Sequence, residues 1–362
     1  MAHLRINIAK ILSNIRKLDE HLSRYDKRWT LVTKLFSGHE PSLHRLLSDP
    51  VVERLHSIAD SRLSGLMRVK QLRPGMTTMY LKPPPLRLVR SVVRYADVSL
   101  NSSLATIRAL DEAAADSGRR HGVIVMLEMG ELREGVIAER IFDFYTEILR
   151  LKHITILGIG TNLGCMHGVE PTYDKLIQLS LYRQLLEARL GRSLELVSGG
   201  SSITLPLLRR RKVPAAVNHF RIGEAALLGT TPLTGKRFRN LSTDAFDFVG
   251  HILELKRKPS VPEGVVGRGH VGRAQTHEGE ELRHRVIVDF GMMDVAVENL
   301  TPKDHRMRFA GTTSDMTVYS LESNLGRGGR PRYRVGGSVR FKPNYMGAAR
   351  LMHSKYIEKR VV

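Results

Sequence analysis

Residues 154–163 read Ile-Thr-Ile-Leu-Gly-Ile-Gly-Thr-Asn-Leu, a mostly apolar run that ends in the polar pair Thr161 and Asn162. An unbroken apolar run of this length is typical of a strand buried on both faces, as in a parallel sheet. A helical pattern follows at 173–190. The same unit recurs through the first 230 residues, with eight candidate strands at 31–36, 57–60, 77–81, 97–100, 123–128, 154–160, 194–197 and 217–222.

Eight strands separated by helical crossovers predict a closed (β/α)8 barrel, the TIM fold. We assign it to residues 1–235, with an amphipathic helix over the first 22 residues, where apolar residues recur at spacings of three and four. Residues 230–235 form a linker-like stretch of turn residues. Beyond it, short alternating runs at 246–254, 285–290, 316–321 and 333–341 predict a smaller, mainly β domain over 236–362.

The composition is that of a globular protein, with 42% hydrophobic and 26% charged residues in 362. No apolar run approaches the ~18 residues of a membrane helix, and the N-terminus does not resemble a signal peptide. The only cysteine is Cys165, which fits a reducing cytoplasm. The formal net charge is +21, but the basic residues are mostly scattered and no nucleic-acid-binding motif accompanies them. We expect a basic surface and no specific nucleic-acid partner.

Lys34 lies inside the apolar run 31–36, near the end of the first candidate strand. Catalytic residues of TIM barrels cluster at the carboxyl ends of the strands. A buried lysine has a lowered pKa, which suits Schiff-base chemistry. The alternative is a lysine that points outward or pairs with a carboxylate.

A short Gly/Ser run, Ser198-Gly199-Gly200-Ser201-Ser202, follows the seventh candidate strand. Glycines let backbone N–H groups approach an anion, serines add hydroxyl donors, and TIM barrels often bind phosphate at this place. The alternative is an ordinary turn with a serine helix cap.

Arg221 stands inside the eighth candidate strand and needs an acceptor, either a ligand heteroatom or a carboxylate such as Glu224 or Glu128. Polar groups also follow strands five and six, at 128–135 and 160–163. The sequence therefore predicts that a lysine, arginines, an asparagine and the candidate anion-binding run 198–202 lie around one mouth of the barrel.

Together these motifs resemble the alanine racemase superfamily, in particular the branch that contains ornithine racemase and related predicted amino-acid racemases. The resemblance runs in order from about residue 5 to 230 and resumes near 285–294, 311–315 and 344–359. It is carried by Thr33-Lys34, Asp60-Ser61-Arg62, Ser99-Leu100-Asn101-Ser102, Gly130-Glu131-Leu132-Arg133-Glu134-Gly135, 158–163, 198–202 and Arg221-Ile222-Gly223-Glu224.

The resemblance implies a pyridoxal 5'-phosphate enzyme, typically a homodimer whose active site is shared between a barrel and the partner's β domain. Lys34 would carry the cofactor as a Schiff base and act as one acid/base on the substrate Cα. The resemblance further implies Arg221 opposite the pyridine nitrogen, which then stays unprotonated, Arg133 near the ring hydroxyl and Asn162 against the ring face. The phosphate would be held by the 198–202 cradle (Ser198, Gly200, Ser201 and Ser202) and by the backbone amide of Ile222.

The second catalytic base is where the sequence departs from the family pattern. A tyrosine from the β domain is expected there, but residues 264–272 contain none. His270 is our candidate, because an imidazole has a suitable pKa for acid/base work. The alternative is a loop histidine without a role; His277, Tyr319 and Tyr345 are weaker candidates. The tyrosine that binds phosphate in alanine racemases is also missing from the segment after Lys34, where Ser37 and His39 are the candidates to replace that contact.

The prediction is a racemase, on ornithine or another basic amino acid. The alternatives are another pyridoxal-phosphate reaction at Cα (an epimerase or a decarboxylase), a non-catalytic cofactor-binding protein, and a nucleic-acid binder. Arg221 argues against decarboxylases of this fold, which usually place an acidic residue there. Four acidic residues are candidates to bind a basic substrate side chain: Asp60, Glu128, Glu131 and Asp315. The alternative is that they pair with the protein's own arginines.

Overall fold

A computed structural model describes residues 1–265, 272–274 and 282–362. The chain divides into two compact units. The larger unit contains residues 9–243, and the smaller contains residues 1–8 together with 244–362. The sequence placed the boundary after residue 235 and put the first eight residues with the barrel.

The chain opens with β1 (His3–Ile6) and α1 (Ile8–Ser23). Eight parallel strands then close into a barrel, as predicted: β2 (Arg28–Val32), β3 (Ser57–Asp60), β4 (Thr78–Tyr80), β5 (Val98–Asn101), β6 (His121–Met126), β7 (Ile154–Gly160), β8 (Leu196–Ser201) and β9 (His219–Ile222). The connecting helices are α2 (Glu40–Leu47), α3 (Pro50–Glu53), α4 (Leu63–Leu72), α5 (Val89–Tyr95), α6 (Leu104–Asp116), α7 (Ile141–Ile148), α8 (Tyr173–Leu190), α9 (Leu205–Arg209) and α10 (Glu224–Leu228).

The barrel strands are buried on both faces; every residue of β5, β6 and β9 is buried. β6 is accordingly mostly apolar, whereas β5 (Val-Ser-Leu-Asn) and β9 (His-Phe-Arg-Ile) alternate apolar with buried polar residues. Local signals set the helix ends. The Ser103 hydroxyl accepts the Thr106 N–H at the start of α6, the Thr172 hydroxyl does the same for Lys175 in α8, and Gly191 ends α8 at a positive φ of 61°.

The smaller unit is mainly β, as predicted. Its elements are β1, β10 (Phe246–Lys258), β11 (Arg273–Ala274), β12 (Arg283–Val288), β13 (Leu300–Pro302), β14 (Arg308–Thr312), β15 (Thr317–Leu321), β16 (Ser338–Pro343), α11 (Tyr345–His353) and β17 (Glu358–Val361). The main strand order is β11-β14-β15-β12-β10-β1-β17, with β16 on β10 and β13 on β16. Phe248, Phe290 and Phe341 pack edge to face at its centre, with ring centroids 4.9 and 5.2 Å apart.

Three sequence-based assignments need correction. The run 31–36 is not one strand: β2 ends at Val32, and Lys34–Phe36 form a one-turn 3-10 helix. The first residues are not all helical, since His3–Ile6 form β1. The Gly/Ser run is not wholly a turn, since 198–201 belong to β8. In the part of the chain described here, no helix has the length and apolar character to cross a membrane.

Candidate active site

Strand register brings the predicted site motifs to one end of the barrel. Leu31 of β2 lies opposite Ile222 of β9, and Arg221 of β9 lies opposite Ser201 of β8. Gly160 of β7 lies opposite both Ser198 of β8 and Met126 of β6. The strands are parallel, so the residues that follow them share the carboxyl-terminal mouth, where TIM barrels place their chemistry.

Lys34 follows β2 at this mouth and is exposed rather than buried. The 3-10 turn that carries it is held by Thr33, whose N–H and hydroxyl both donate to the Ala59 carbonyl (2.8 and 3.2 Å). Leu35 and Phe36 bury their side chains beneath it. The sequence left open whether Lys34 is buried or points outward, and the turn presents its side chain at the surface of the mouth.

Asp60 ends β3 and is the buried carboxylate near Lys34. Only 2% of Asp60 is exposed, and its Oδ1 accepts the Arg62 N–H at 2.8 Å. Gly65 packs so closely that a Cβ there would overlap Asp60 Oδ2. Burial raises the Asp60 pKa to about 6, against the opposing effects of backbone hydrogen bonds and of the Lys34 charge.

Arg221 is the most deeply buried cation of the site, with 4% exposure. Its Nη2 donates to the Thr161 carbonyl (2.8 Å) and to Asn162 Oδ1 (2.7 Å), and its Nη1 donates to Ser198 Oγ. None of these acceptors is a carboxylate, so neither Glu224 nor Glu128 is its partner. Burial lowers the Arg221 pKa to about 10.

Asn162 links Arg221 to an ion pair. Its Nδ2 donates to Glu134, and Glu134 in turn pairs with Arg133, whose Nη1 also contacts Cys165 Sγ. The hydrogen bond with Glu134 raises the Arg133 pKa. The predicted residues Arg133, Asn162, Ser198 and Arg221 thus form one connected network. Glu134 belongs to the 130–135 motif, but its hydrogen bond with Asn162 spans 28 residues and has no local signal in the sequence.

Glu131 organises the loop beside this network. Its carboxylate, in a residue only 2% exposed, accepts four backbone N–H groups at 2.7–3.1 Å, from Cys165, Met166, His167 and Val169. These hydrogen bonds lower the Glu131 pKa despite its burial. Glu128 accepts the N–H groups of Gly130 and Leu132. Both carboxylates therefore serve the backbone and not arginines.

The Gly/Ser run ends β8 beside two short helices. Gly200 has a φ of 108°, and a Cβ there would lie 2.7 Å from Thr204 Oγ1. The hydroxyl of buried Ser202 accepts the N–H of Ala225 at the start of α10. Ser201 is half-buried and faces Arg221 in the strand register. The positive φ and the contact with Thr204 both require a glycine at position 200. Without a side chain, its backbone N–H stays accessible to an anion at the end of β8.

The second-base candidates differ in what the structure describes. His270 and His277 lie outside the described residues. Tyr319 is 1% exposed and packs on Phe341 (centroids 5.3 Å apart), and burial raises its pKa. A phenol enclosed in this way cannot reach a substrate, which removes Tyr319 from the candidates. Tyr345 is half-buried at the start of α11.

Comparison with known proteins gives a consistent assignment. The alanine racemase N-terminal domain family matches residues 6–232. Ornithine racemase of Acetoanaerobium sticklandii is 34% identical over 86% of this chain and 88% of its own length. Lysine racemase of Thermotoga maritima is 30% identical over 98% of this chain and 97% of its own.

Among solved structures, the alanine racemase from Bartonella henselae with covalently bound pyridoxal phosphate is similar in fold. Its TM-score is 0.75 at 14% identity, with coverage of 100% of this chain and 99% of that one. The barrel, the site motifs at its carboxyl-terminal mouth and the two racemase relatives lead to one conclusion. The chain belongs to the alanine racemase family.

Proposed function

We propose that this protein is a pyridoxal-phosphate-dependent racemase of a basic amino acid, of the ornithine or lysine type. The observation that carries the proposal is Arg221, buried at the end of β9 with only uncharged acceptors. The similarity to ornithine racemase and lysine racemase supports the substrate class.

The residues present fit pyridoxal phosphate. Among the described residues, the Nε–H of Arg221 has no hydrogen-bond partner, which leaves a donor for a ring nitrogen. The positive φ of Gly200 and the half-buried Ser201 suit a phosphate, which we assign to Ser201, Ser202 and the backbone amides of Gly200 and Ile222. Arg133 and Asn162 would lie along the ring. Ser198 already bonds Arg221, so we assign it a supporting place.

Pyridoxal phosphate, when bound, acidifies the proton on the substrate Cα by withdrawing electrons from it. Lys34 would attach the cofactor and then hold or return the proton at Cα through its Nζ on one face. Arg221 can only donate, so it would leave the ring nitrogen unprotonated and restrain electron withdrawal by the ring. That restraint favours simple proton exchange and disfavours decarboxylation.

Racemisation needs a second acid/base on the opposite face of Cα. We keep His270 for this role, contributed by the partner in a homodimer. Dimerisation follows the family pattern, and sedimentation at working concentrations tests it. The mainly β smaller unit disfavours a purely cofactor-binding role, since the cofactor-binding branch of the superfamily has a single domain.

The first test is Lys34→Ala, with the exposed Lys152→Ala as a matched control. The wild type and the control, loaded with cofactor, should show a visible absorption band that borohydride abolishes, with the cofactor then retained on the peptide containing Lys34. The Lys34 variant should show neither. Absence of the band in the wild type would overturn the cofactor assignment.

The second test is deuterium incorporation at Cα from heavy water over a panel of L- and D-amino acids. Ornithine and lysine should exchange fastest and invert. Because a single base serves one face only, His270→Ala should reduce inversion much more than exchange of one enantiomer. If inversion and exchange were reduced equally while cofactor binding stayed intact, His270 would not be the second base.

A further inference from the structure

A chain of buried hydrogen bonds runs from Arg221 along the inside of the barrel toward its opposite end. Arg221 Nη1 donates to Ser198 Oγ, which lies 2.9 Å from His219 Nδ1. His219 Nε2 lies 2.8 Å from Thr30 Oγ1, and Thr30 Oγ1 lies 2.7 Å from Ser57 Oγ. Ser57 Oγ is 3.2 Å from Nδ1 of half-buried His56. We call these six residues the relay.

The directions of these hydrogen bonds follow from Arg221. A guanidinium only donates, so Ser198 accepts from it. Within the described residues the Ser198 hydroxyl has one other neighbour, His219. If His219 also donated, the Ser198 O–H would be a buried donor without an acceptor, which is costly. Ser198 therefore donates to Nδ1 of His219.

The rest of the relay is then determined. A neutral imidazole that accepts at Nδ1 carries its hydrogen on Nε2, so His219 donates to Thr30. Thr30 donates to Ser57, and Ser57 donates to His56. Every member between Arg221 and His56 both accepts and donates once. A polarised chain of this kind holds its groups in one arrangement.

The surroundings of His219 keep it neutral. It has no exposed surface, and burial lowers its pKa well below the usual value. The other charged or titratable groups that act on it are His56, whose ring centroid is 4.9 Å away, Arg221 and Arg28, and all three oppose a positive charge. The donor pattern therefore persists through the working pH range.

We propose that Ser198 and His219 are positioning residues, which orient the Arg221 guanidinium so that its free Nε–H faces the cofactor ring. This inference rests on the proposed function for the identity of the ligand. The relay itself does not depend on the ligand. Thr30 and Ser57 continue the hydrogen-bonded chain across the barrel. Through them, Arg221 at the mouth is connected to residues at the other end of the strands.

The tautomer of His219 is measurable in the protein without cofactor. Nitrogen-15 NMR of histidine-labelled protein, with His219→Gln to assign the signals, should show a neutral ring with hydrogen on Nε2 that does not titrate between pH 6 and 9. A hydrogen on Nδ1, or a ring that titrates in this range, would overturn the relay. The tautomer of His219 can be measured whether or not the protein binds pyridoxal phosphate. A failure to bind the cofactor would overturn the proposed function but not the relay.

The positioning role is tested with Ser198→Ala and a matched control, Ser99→Ala. Ser99 is also fully buried in the barrel and its hydroxyl also meets a histidine, His121, at 2.7 Å. Both variants should lose similar stability in urea. Only Ser198→Ala should weaken pyridoxal-phosphate binding, by about tenfold as expected for a lost buried hydrogen bond to a charged group, and shift the visible absorption maximum.

Thr30 supplies a second pair of variants, chosen in case Ser198→Ala does not fold. Thr30→Val removes the hydroxyl but keeps the shape, and Thr30→Ser keeps the hydroxyl. Thr30→Val should reproduce the spectral shift and Thr30→Ser should restore the wild-type spectrum. Equal spectra for Thr30→Val, Ser99→Ala and wild type would show that the relay supports the barrel only and would overturn the positioning role.

Discussion

Asp60 and Arg221 are charged side chains buried at the same end of the barrel, and burial moves the pKa of each toward the neutral form. The Asp60 pKa rises to about 6, and the Arg221 pKa falls to about 10. At neutral pH both stay charged at a free-energy cost. Buried polar groups maintained at such a cost are typical of functional sites rather than of structural cores.

Asp60→Asn should stabilise the protein at neutral pH. The folded-state pKa of about 6 exceeds the unfolded value of 3.8, so the folded state binds the proton more tightly. The favourable contribution of Asp60 is complete below about pH 4 and is lost as the pH rises through 6. Removing the charge should therefore add about 2–3 kcal/mol above pH 7 and nothing at pH 4.

Urea unfolding between pH 4 and 8 measures this difference. The control is Asp116→Asn, whose exposed carboxylate pairs with Arg90 at 3.3 Å and should matter by less than about 0.5 kcal/mol. A less stable Asp60→Asn protein at pH 8 would show that its backbone hydrogen bonds outweigh the cost of burying the charge.

At the scale of elements, the barrel strands could be predicted because short runs that contain buried apolar residues alternate with longer helical patterns. β3 and β7 match the sequence prediction to the residue. β2 does not, because the 3-10 turn that follows it buries Leu35 and Phe36 and so extends the apolar run past the strand. The sequence pattern does not predict β1, because Leu4 continues the helical spacing of α1 and the strand partners of β1 lie 240 or more residues away.

The site could be predicted in part for the same reason. Arg221 stood out as an arginine inside a candidate strand, and the family resemblance pointed to Asn162 and Arg133, which follow strands. The hydrogen bonds that connect them, such as the one from Asn162 to Glu134, join different strand ends and have no signature in a single sequence. The roles of Lys34, His270 and the phosphate-binding serines stay predictions.

Gly200→Ala tests the end of β8. Its φ of 108° and the nearby Thr204 hydroxyl make a Cβ unfavourable, which should cost about 1–3 kcal/mol and weaken cofactor binding at least several-fold. Gly191→Ala is the matched control: its φ is 61° and nothing lies within 4 Å of a Cβ, so only about 1 kcal/mol of stability should be lost. Unfolding curves and cofactor titrations give both values. Equal cofactor affinity in the two variants would exclude Gly200 from the phosphate site.

At the scale of the whole molecule, the net charge is +21 and the basic residues are mostly scattered along the sequence. The run of basic residues Arg209-Arg210-Arg211-Lys212 is exposed at the end of α9. Such a surface attracts polyanions through counterion release and without reading their sequence.

We expect weak binding to duplex DNA at low salt that disappears by about 0.2 M salt. Fluorescence anisotropy with two unrelated duplexes should give equal affinities, and competitor DNA should leave racemisation unchanged. A preference for one duplex that persists at high salt would contradict this account and point to a dedicated nucleic-acid site.

The pairing of β1 in the smaller unit fixes an order of events during protein synthesis. His3–Ile6 lie between β10 and β17, antiparallel to Phe246–Val249 and parallel to Glu358–Val361. β1 therefore has no partner until residues 246–249 are translated, and it gains its second partner only with residues 358–361. Residues 9–243 can collapse in the meantime, so the nascent chain carries an unpaired strand edge for most of its translation. Until these partners are made, the unpaired edge of β1 is a template for pairing with another chain.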